Sequence, residues 1–175
     1  MTLSISAAQQ LDKLKLAVVF LLTNPSSRRY ATMKMQSIVQ GGMIMIIKGI
    51  TAQISHVVTE KETAAVVRSG SLPVLATPVL SAVMEEAACK ALAPFLKDEE
   101  TTVGGSMNLM HKAPTLPGHT ITATATVIEV KGKKISFHIT AADENGDIGE
   151  ADHNRFLVDS RRFMEKAEER NGSRH

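Results

Sequence analysis

Two strict alternations, Ile121-Ala123-Ala125-Val127 and Ile135-Phe137-Ile139-Ala141, stand on either side of Lys131-Gly132-Lys133. Apolar residues at every second position put one face of each segment on a core and the other in water, as in a half-buried antiparallel strand. The short turn between them makes the two a hairpin. A second turn signal, Asp143-Glu144-Asn145-Gly146, leads into another extended stretch from Ile148 to Val158. A further strand, about Thr102 to His111, precedes the hairpin and is broken by Pro114 to Gly118. Four strands in a meander must cover one common apolar layer.

What they cover lies upstream. Leu80, Met84, Ala87, Ala88, Ala91 and Phe95 recur at helical spacing, so a helix is predicted from Thr77-Pro78 to about Phe95. Pro78 suits the first helical position, where its missing N–H is no loss, and Thr77 before it reads as the cap. Ile50, Ala52, Ile54 and Val58 alternate as one earlier strand, joined to the helix by an ambiguous connection, Glu60 to Arg68, and by Ser69-Gly70-Ser71. A last helix begins at Asp159 or Ser160, with Phe163, Met164 and Ala167 as its inner residues. One strand, one long helix and a strand meander define an α+β fold in which an antiparallel sheet wraps a single helix. No βαβ run and no glycine-rich phosphate loop occurs, which argues against doubly wound nucleotide folds.

The front of the chain is different material. Residues 1–46 hold five basic residues and one acidic one, against a net charge of +2 for all 175 residues. Residues 5–22 read as an added helix stopped by Asn24-Pro25, and residues 31–46 are methionine-rich around Gly41-Gly42. Residues 1–45 therefore form an N-terminal extension before a domain over residues 46–175. A second reading starts the protein at Met45: Gln40-Gly41-Gly42 can be encoded by a purine-rich run like a bacterial ribosome-binding site, and Met43 and Met45 follow it. The apolar run from Leu16 to Leu22 falls far short of the roughly 20 residues a membrane span needs. It also lacks the small-residue cleavage site of a secretory signal.

Composition removes several functions. A net charge of +2 with 3% aromatic residues offers neither a phosphate-binding field nor stacking platforms for nucleic acid. The single cysteine, Cys89, forms no internal disulfide and leaves no cysteine pair for a metal, which fits a cytoplasmic setting; it is expected in the core. His56 and His138 lie in strands with no acidic companion at ligand spacing, and His119 lies in a turn, so no metal site is expected.

Three residues stand where chemistry is possible. A helix turns about 100° per residue. Glu86 is thereby sent to the solvent side with Lys90, whereas Glu85 stays beside Ser81 and Leu92 at the edge of the apolar stripe. There it either snorkels to water or has a partner. Thr77 either caps its helix or offers a hydroxyl at the positive end of the helix dipole, where a carbonyl oxygen or oxyanion could bind. His111 shares strand parity with Met107 and Leu109, so it is either a core histidine or a proton carrier at a pocket mouth. His153 and Arg155 follow on a later strand, as a polar strand end or as support for the site.

These residues, in this order, resemble the hot-dog-fold thioesterases of the fluoroacetyl-CoA thioesterase type. The likeness covers about residues 48–170 and rests on Gly70-Ser-Leu-Pro-Val-Leu-Ala-Thr77-Pro, Met84-Glu85, Thr102-Val-Gly104 leading to His111, Pro117-Gly118, and Ile148-Gly149-Glu with His153 and Arg155. The resemblance implies a hot-dog fold with catalytic Thr77, Glu85 and His111. It also implies substrate contacts at Gly104 and Leu72 and supporting roles for His153 and Arg155. It further implies an acyl-CoA substrate, no metal or added cofactor, and a homodimer or dimer of dimers. Ala151 and Asp152 depart from the family's usual glycine and small hydroxyl residue, and the first 45 residues have no counterpart. No aromatic residue occurs between Tyr30 and Phe95, so a short or medium acyl chain is expected rather than fluoroacetate in particular. The alternative is an acyl-CoA or acyl-carrier binding module without chemistry. Eight residues of helical rise put Thr77 and Glu85 about 12 Å apart, which forbids direct contact and leaves the substrate, a water or a second chain to bridge them.

Overall fold

The computed structural model describes residues 39–40 and 43–172. The chain divides into two compact units, Met1–Ile46 and Ile47–His175. In the first, strand β1 (Val39–Gln40) pairs antiparallel with β2 (Met43–Ile44). The helix expected over residues 5–22 lies outside the described residues.

In the second unit β3 (Thr51–Val57) is followed by a 3-10 turn (Glu60–Glu62), the short helix α1 (Ala64–Val67) and the long helix α2 (Thr77–Leu92). A 3-10 turn, Ala93–Phe95, carries α2 to the predicted end at Phe95. Then come β4 (Glu100–His111), β5 (Thr120–Lys131), β6 (Lys134–Asp143), β7 (Gly146–Asp159) and α3 (Ser160–Asn171). All sheet pairings are antiparallel in the order β3-β5-β6-β7-β4, which leaves β3 and β4 at the edges. Both hairpins close on two-residue turns, with Gly132 in the left-handed region at φ 57°, a conformation that costs glycine nothing.

The alternation seen in the sequence is the core. Ile121, Ala123, Ala125 and Val127 of β5 and Ile135, Phe137, Ile139 and Ala141 of β6 are buried against α2, whose own buried face is Leu80, Val83, Met84, Ala87, Ala88, Ala91 and Leu92. Alanines on both surfaces let the helix lie close to the sheet, while Phe137 fills the centre. Burying a side chain of that size stabilises by about 1.5–3 kcal/mol. The helix packs on β3, β5, β6 and β4, so the sheet wraps it.

One irregularity sets the site. The β4–β7 register slips between Gly104 and Ser106, leaving Gly105 as an extra residue. A bulge of this kind reverses side-chain parity. Thr102 and Gly104 before it, and Met107, Leu109 and His111 after it, therefore turn the same way, toward α2.

Four local expectations are corrected. Ala76, not Thr77, is the residue before α2, and no side chain caps that end; Thr77 is the first helical residue. Cys89 is exposed, one turn beyond Glu85 and outside the buried face of α2. Lys90 donates to the Gln53 carbonyl at 3.1 Å on edge strand β3 instead of staying in a surface pair with Glu86. Phe163 and Met164 of α3 are 43% and 55% exposed; among the described residues the main packing partner of α3 is β7.

Candidate active site

Thr77, Ser81 and Glu85 are spaced by four on α2 and form one stripe down its exposed flank. Each meets its own partner. The Thr77 hydroxyl lies 3.0 Å from Nδ1 of His111. Ser81 donates to Sδ of Met107 at 3.0 Å. Glu85 Oε2 accepts from Nη1 of Arg155 at 3.0 Å. The stripe thus runs along β4 in the opposite sense, from His111 past Met107 to Gly104.

Gly104 is needed at the far end. A Cβ there would stand 3.0 Å from Oε2 and 3.2 Å from Oε1 of Glu85, so the carboxylate lies directly against the strand. Behind it Arg155 is only 4% exposed. Its Nε donates to Thr102 Oγ1 at 3.0 Å, its Nη2 to the Thr102 carbonyl at 2.8 Å, and its Nη1 also meets Nε2 of His153 at 3.2 Å. A guanidinium has donors alone, so His153 Nε2 must be the acceptor and its proton sits on Nδ1, donated to the Ser106 carbonyl at 2.9 Å. Burial holds the His153 pKa below the usual histidine value, in keeping with a neutral ring. A buried arginine is costly unless paired, and this one is paired to a carboxylate that is itself 40% exposed.

At the other end burial also lowers the His111 pKa, outweighing the Ala113 backbone, which pulls the other way. The ring is therefore neutral near pH 7, and a neutral imidazole can accept the Thr77 proton at Nδ1. Its Nε2 is buried and unpartnered. Thr77 and Glu85 do not touch, as helical rise requires, and the three residues make a hydroxyl–imidazole pair and a separate carboxylate rather than one bonded triad.

The structure places His153 and Arg155 directly behind Glu85, not at a polar strand end. Leu72 stands 64% exposed on the loop before α2. Thr102, which fixes the arginine, entered the sequence reading only as part of Thr102-Val-Gly104, and Ser106, which fixes the histidine, carried no signal; Ser81 is spaced by four from both Thr77 and Glu85. The remaining strand and turn histidines find acids through the fold: His56 with Glu62 at 2.9 Å, His138 with Asp152 at 3.1 Å and His119 with Glu144 at 3.3 Å. Among the described residues no group of three side chains could hold a metal ion.

A five-stranded antiparallel sheet wrapped on one long helix is the hot-dog fold, here with a hydroxyl and a carboxylate on the helix and an imidazole facing the hydroxyl from β4. The sequence pattern of the fluoroacetyl-CoA-specific thioesterase family, FlK, matches residues 58–161, and the chain belongs to that family. It is 33% identical over 97 residues to the fluoroacetyl-CoA thioesterase of Streptantibioticus cattleyicolor, which covers 55% of this chain and 70% of that one. Its fold is similar to a solved fluoroacetyl-CoA thioesterase, FlK (TM-score 0.68, 27% identity, covering 71% of this chain and 97% of the other). A thioesterase superfamily member from Thermus thermophilus is comparably similar (TM-score 0.67, 27% identity, 73% and 97% covered). The chain is accordingly a thioester hydrolase of the acyl-CoA class, and a module that only binds is not favoured.

Proposed function

We propose that the chain hydrolyses a short or medium acyl-CoA to the free acid and CoA, with Thr77, Glu85 and His111 as its reacting groups and no cofactor beyond the CoA of the substrate. The observation that carries this reading is the Glu85 carboxylate, fixed by a buried arginine on the same helix face as the Thr77–His111 pair. Thr77, in the first turn of α2, orients the thioester carbonyl beside the positive end of the helix. His111 moves a proton. Glu85 acts as base or nucleophile on the carbonyl carbon. Arg155 and His153 position Glu85, and Gly104 leaves room for its carboxylate and the acyl group.

A homodimer is part of the proposal. Strand β4 is a 12-residue sheet edge beside the site, and Phe163 and Met164 present apolar surface from α3. Open edges and exposed apolar faces are what a second copy covers. A cytoplasmic location fits the single cysteine, and among the described residues no helix is long and apolar enough to cross a membrane. The test is free-thiol release over acyl-CoAs of increasing chain length, alongside sedimentation of the same protein. Release from short and medium chains, lost in Glu85→Gln and in His111→Ala, is the expected result; full turnover in either folded variant refutes the roles.

A further inference from the structure

The middle of the helix stripe has no part in the mechanism as described so far. Ser81 stands about 6 Å along the axis from Thr77 and the same distance from Glu85. It is half-buried, as is Met107, so neither side chain is sealed from solvent. The Ser81 hydroxyl donates to Met107 Sδ at 3.0 Å. A thioether is a weak acceptor. A hydroxyl resting on one loses little when a stronger oxygen acceptor arrives, and leaving such an acceptor unmet costs more than the resting bond is worth.

The geometry of the stripe says where that acceptor comes from. Thr77 and Glu85 are about 12 Å apart along the helix, so a thioester reached from both ends must lie across Ser81. As the carbonyl carbon is attacked, its oxygen gains negative charge, and a hydroxyl that turns from Met107 to meet it stabilises that charge.

We propose that Ser81 is a substrate-contact residue: its hydroxyl leaves Met107 and donates to the thioester carbonyl oxygen. The proposal rests on the thioesterase reading above. No proton is transferred in this step. Ser81 keeps its hydrogen throughout and returns it to Met107 Sδ when the acid departs.

The test uses two CoA probes that are not hydrolysed: a ketone analogue, in which a methylene replaces the thioester sulfur and the carbonyl remains, and an S-alkyl-CoA of the same length, which has no carbonyl. Calorimetric titration compares them on the wild type, Ser81→Ala, Ser81→Thr and Met107→Leu. The wild type should prefer the ketone by about tenfold, the worth of one good hydrogen bond. Ser81→Ala should cut that preference below about threefold, while Ser81→Thr, which keeps a hydroxyl, and Met107→Leu, which removes only the resting partner, should retain it. Undiminished preference in Ser81→Ala overturns the proposal. So does equal loss in Met107→Leu, because Ser81 would then only brace the methionine. So does a wild type that does not distinguish the probes. If the wild type releases no thiol from any acyl-CoA, the hydrolytic reading fails, yet the ketone comparison still decides whether Ser81 meets a carbonyl.

Discussion

Gly104→Ala isolates the position of the Glu85 carboxylate. The added methyl would stand 3.0 Å from Oε2, 3.2 Å from Oε1 and 3.4 Å from Cδ of Glu85. Comfortable contact begins near 3.5 Å, so the carboxylate must retreat by several tenths of an ångström. The Glu85 side chain is flexible and partly exposed, so it moves before the backbone does, and the 3.0 Å bond from Arg155 is the first thing strained. Misplacing a reacting group by 1 Å costs on the order of a hundredfold, so about tenfold is expected in kcat. Stability should hardly change. Gly104 is not one of the glycines with positive φ, so alanine fits its backbone, and the gain of about 0.4–1 kcal/mol from a stiffer unfolded chain offsets the crowding. Thiol release and a thermal melt read the two effects separately. Gly105→Ala is the contrast: its Cβ would collide with Cε2 of Phe156 and lie 2.8 Å from Cδ2, so the cost of about 1–3 kcal/mol falls on the melting temperature. Wild-type kcat in a folded Gly104→Ala protein would show that turnover does not depend on this carboxylate position, and the reasoning would be wrong.

Other outcomes follow from the same contacts. Thr77→Ala should lower thiol release at least tenfold while costing no more stability than the hydroxyl–imidazole bond it removes, about 0.5–1.5 kcal/mol, because the hydroxyl faces His111 and caps nothing; undiminished thiol release would contradict its role. Arg155→Met leaves the Glu85 carboxylate, the Thr102 carbonyl and His153 Nε2 without their donor. Urea unfolding should register about 2–4 kcal/mol, below the cost of breaking a fully buried pair since water reaches Glu85; under 1 kcal/mol contradicts the pairing. His111 and His153 both have pKa values depressed by burial, so the unfolded chain binds protons first as pH falls. Their contribution to stability is whole above about pH 6.5 and is lost as pH drops through the depressed folded values. Turnover should decline over the same acid range as His111 loses its acceptor, so a melting temperature that rises from pH 7 to pH 5 would be incompatible with neutral buried rings.

How much of this could be read from the chain differs by element. The alternations in β5 and β6, the turns at Gly132 and Asn145, and the stripe from Leu80 to Ala91 are local patterns, and local patterns fix which faces are buried. They also fixed the separation of Thr77 from Glu85, because helical rise needs no tertiary information. Cys89, Phe163 and Met164 depart from their local pattern for the converse reason. Exposure depends on what lies opposite, and periodicity does not say which flank a sheet leaves open.

The site itself shows the division most clearly. Sequence alone placed a hydroxyl at the start of the helix, a carboxylate at the edge of its apolar stripe and an imidazole on a strand, and likeness to a family gave them a common purpose. Tertiary structure decided their partners: Thr77 with His111 across 34 positions, and Glu85 with Arg155 across 70. It also supplied the one-residue bulge at Gly105. Strict alternation would send Gly104 and His111 to opposite faces, and only an extra residue between them turns both toward α2. Such a slip is chosen by how β4 pairs with β7, a contact between distant segments, and therefore belongs to the fold and not to any local pattern.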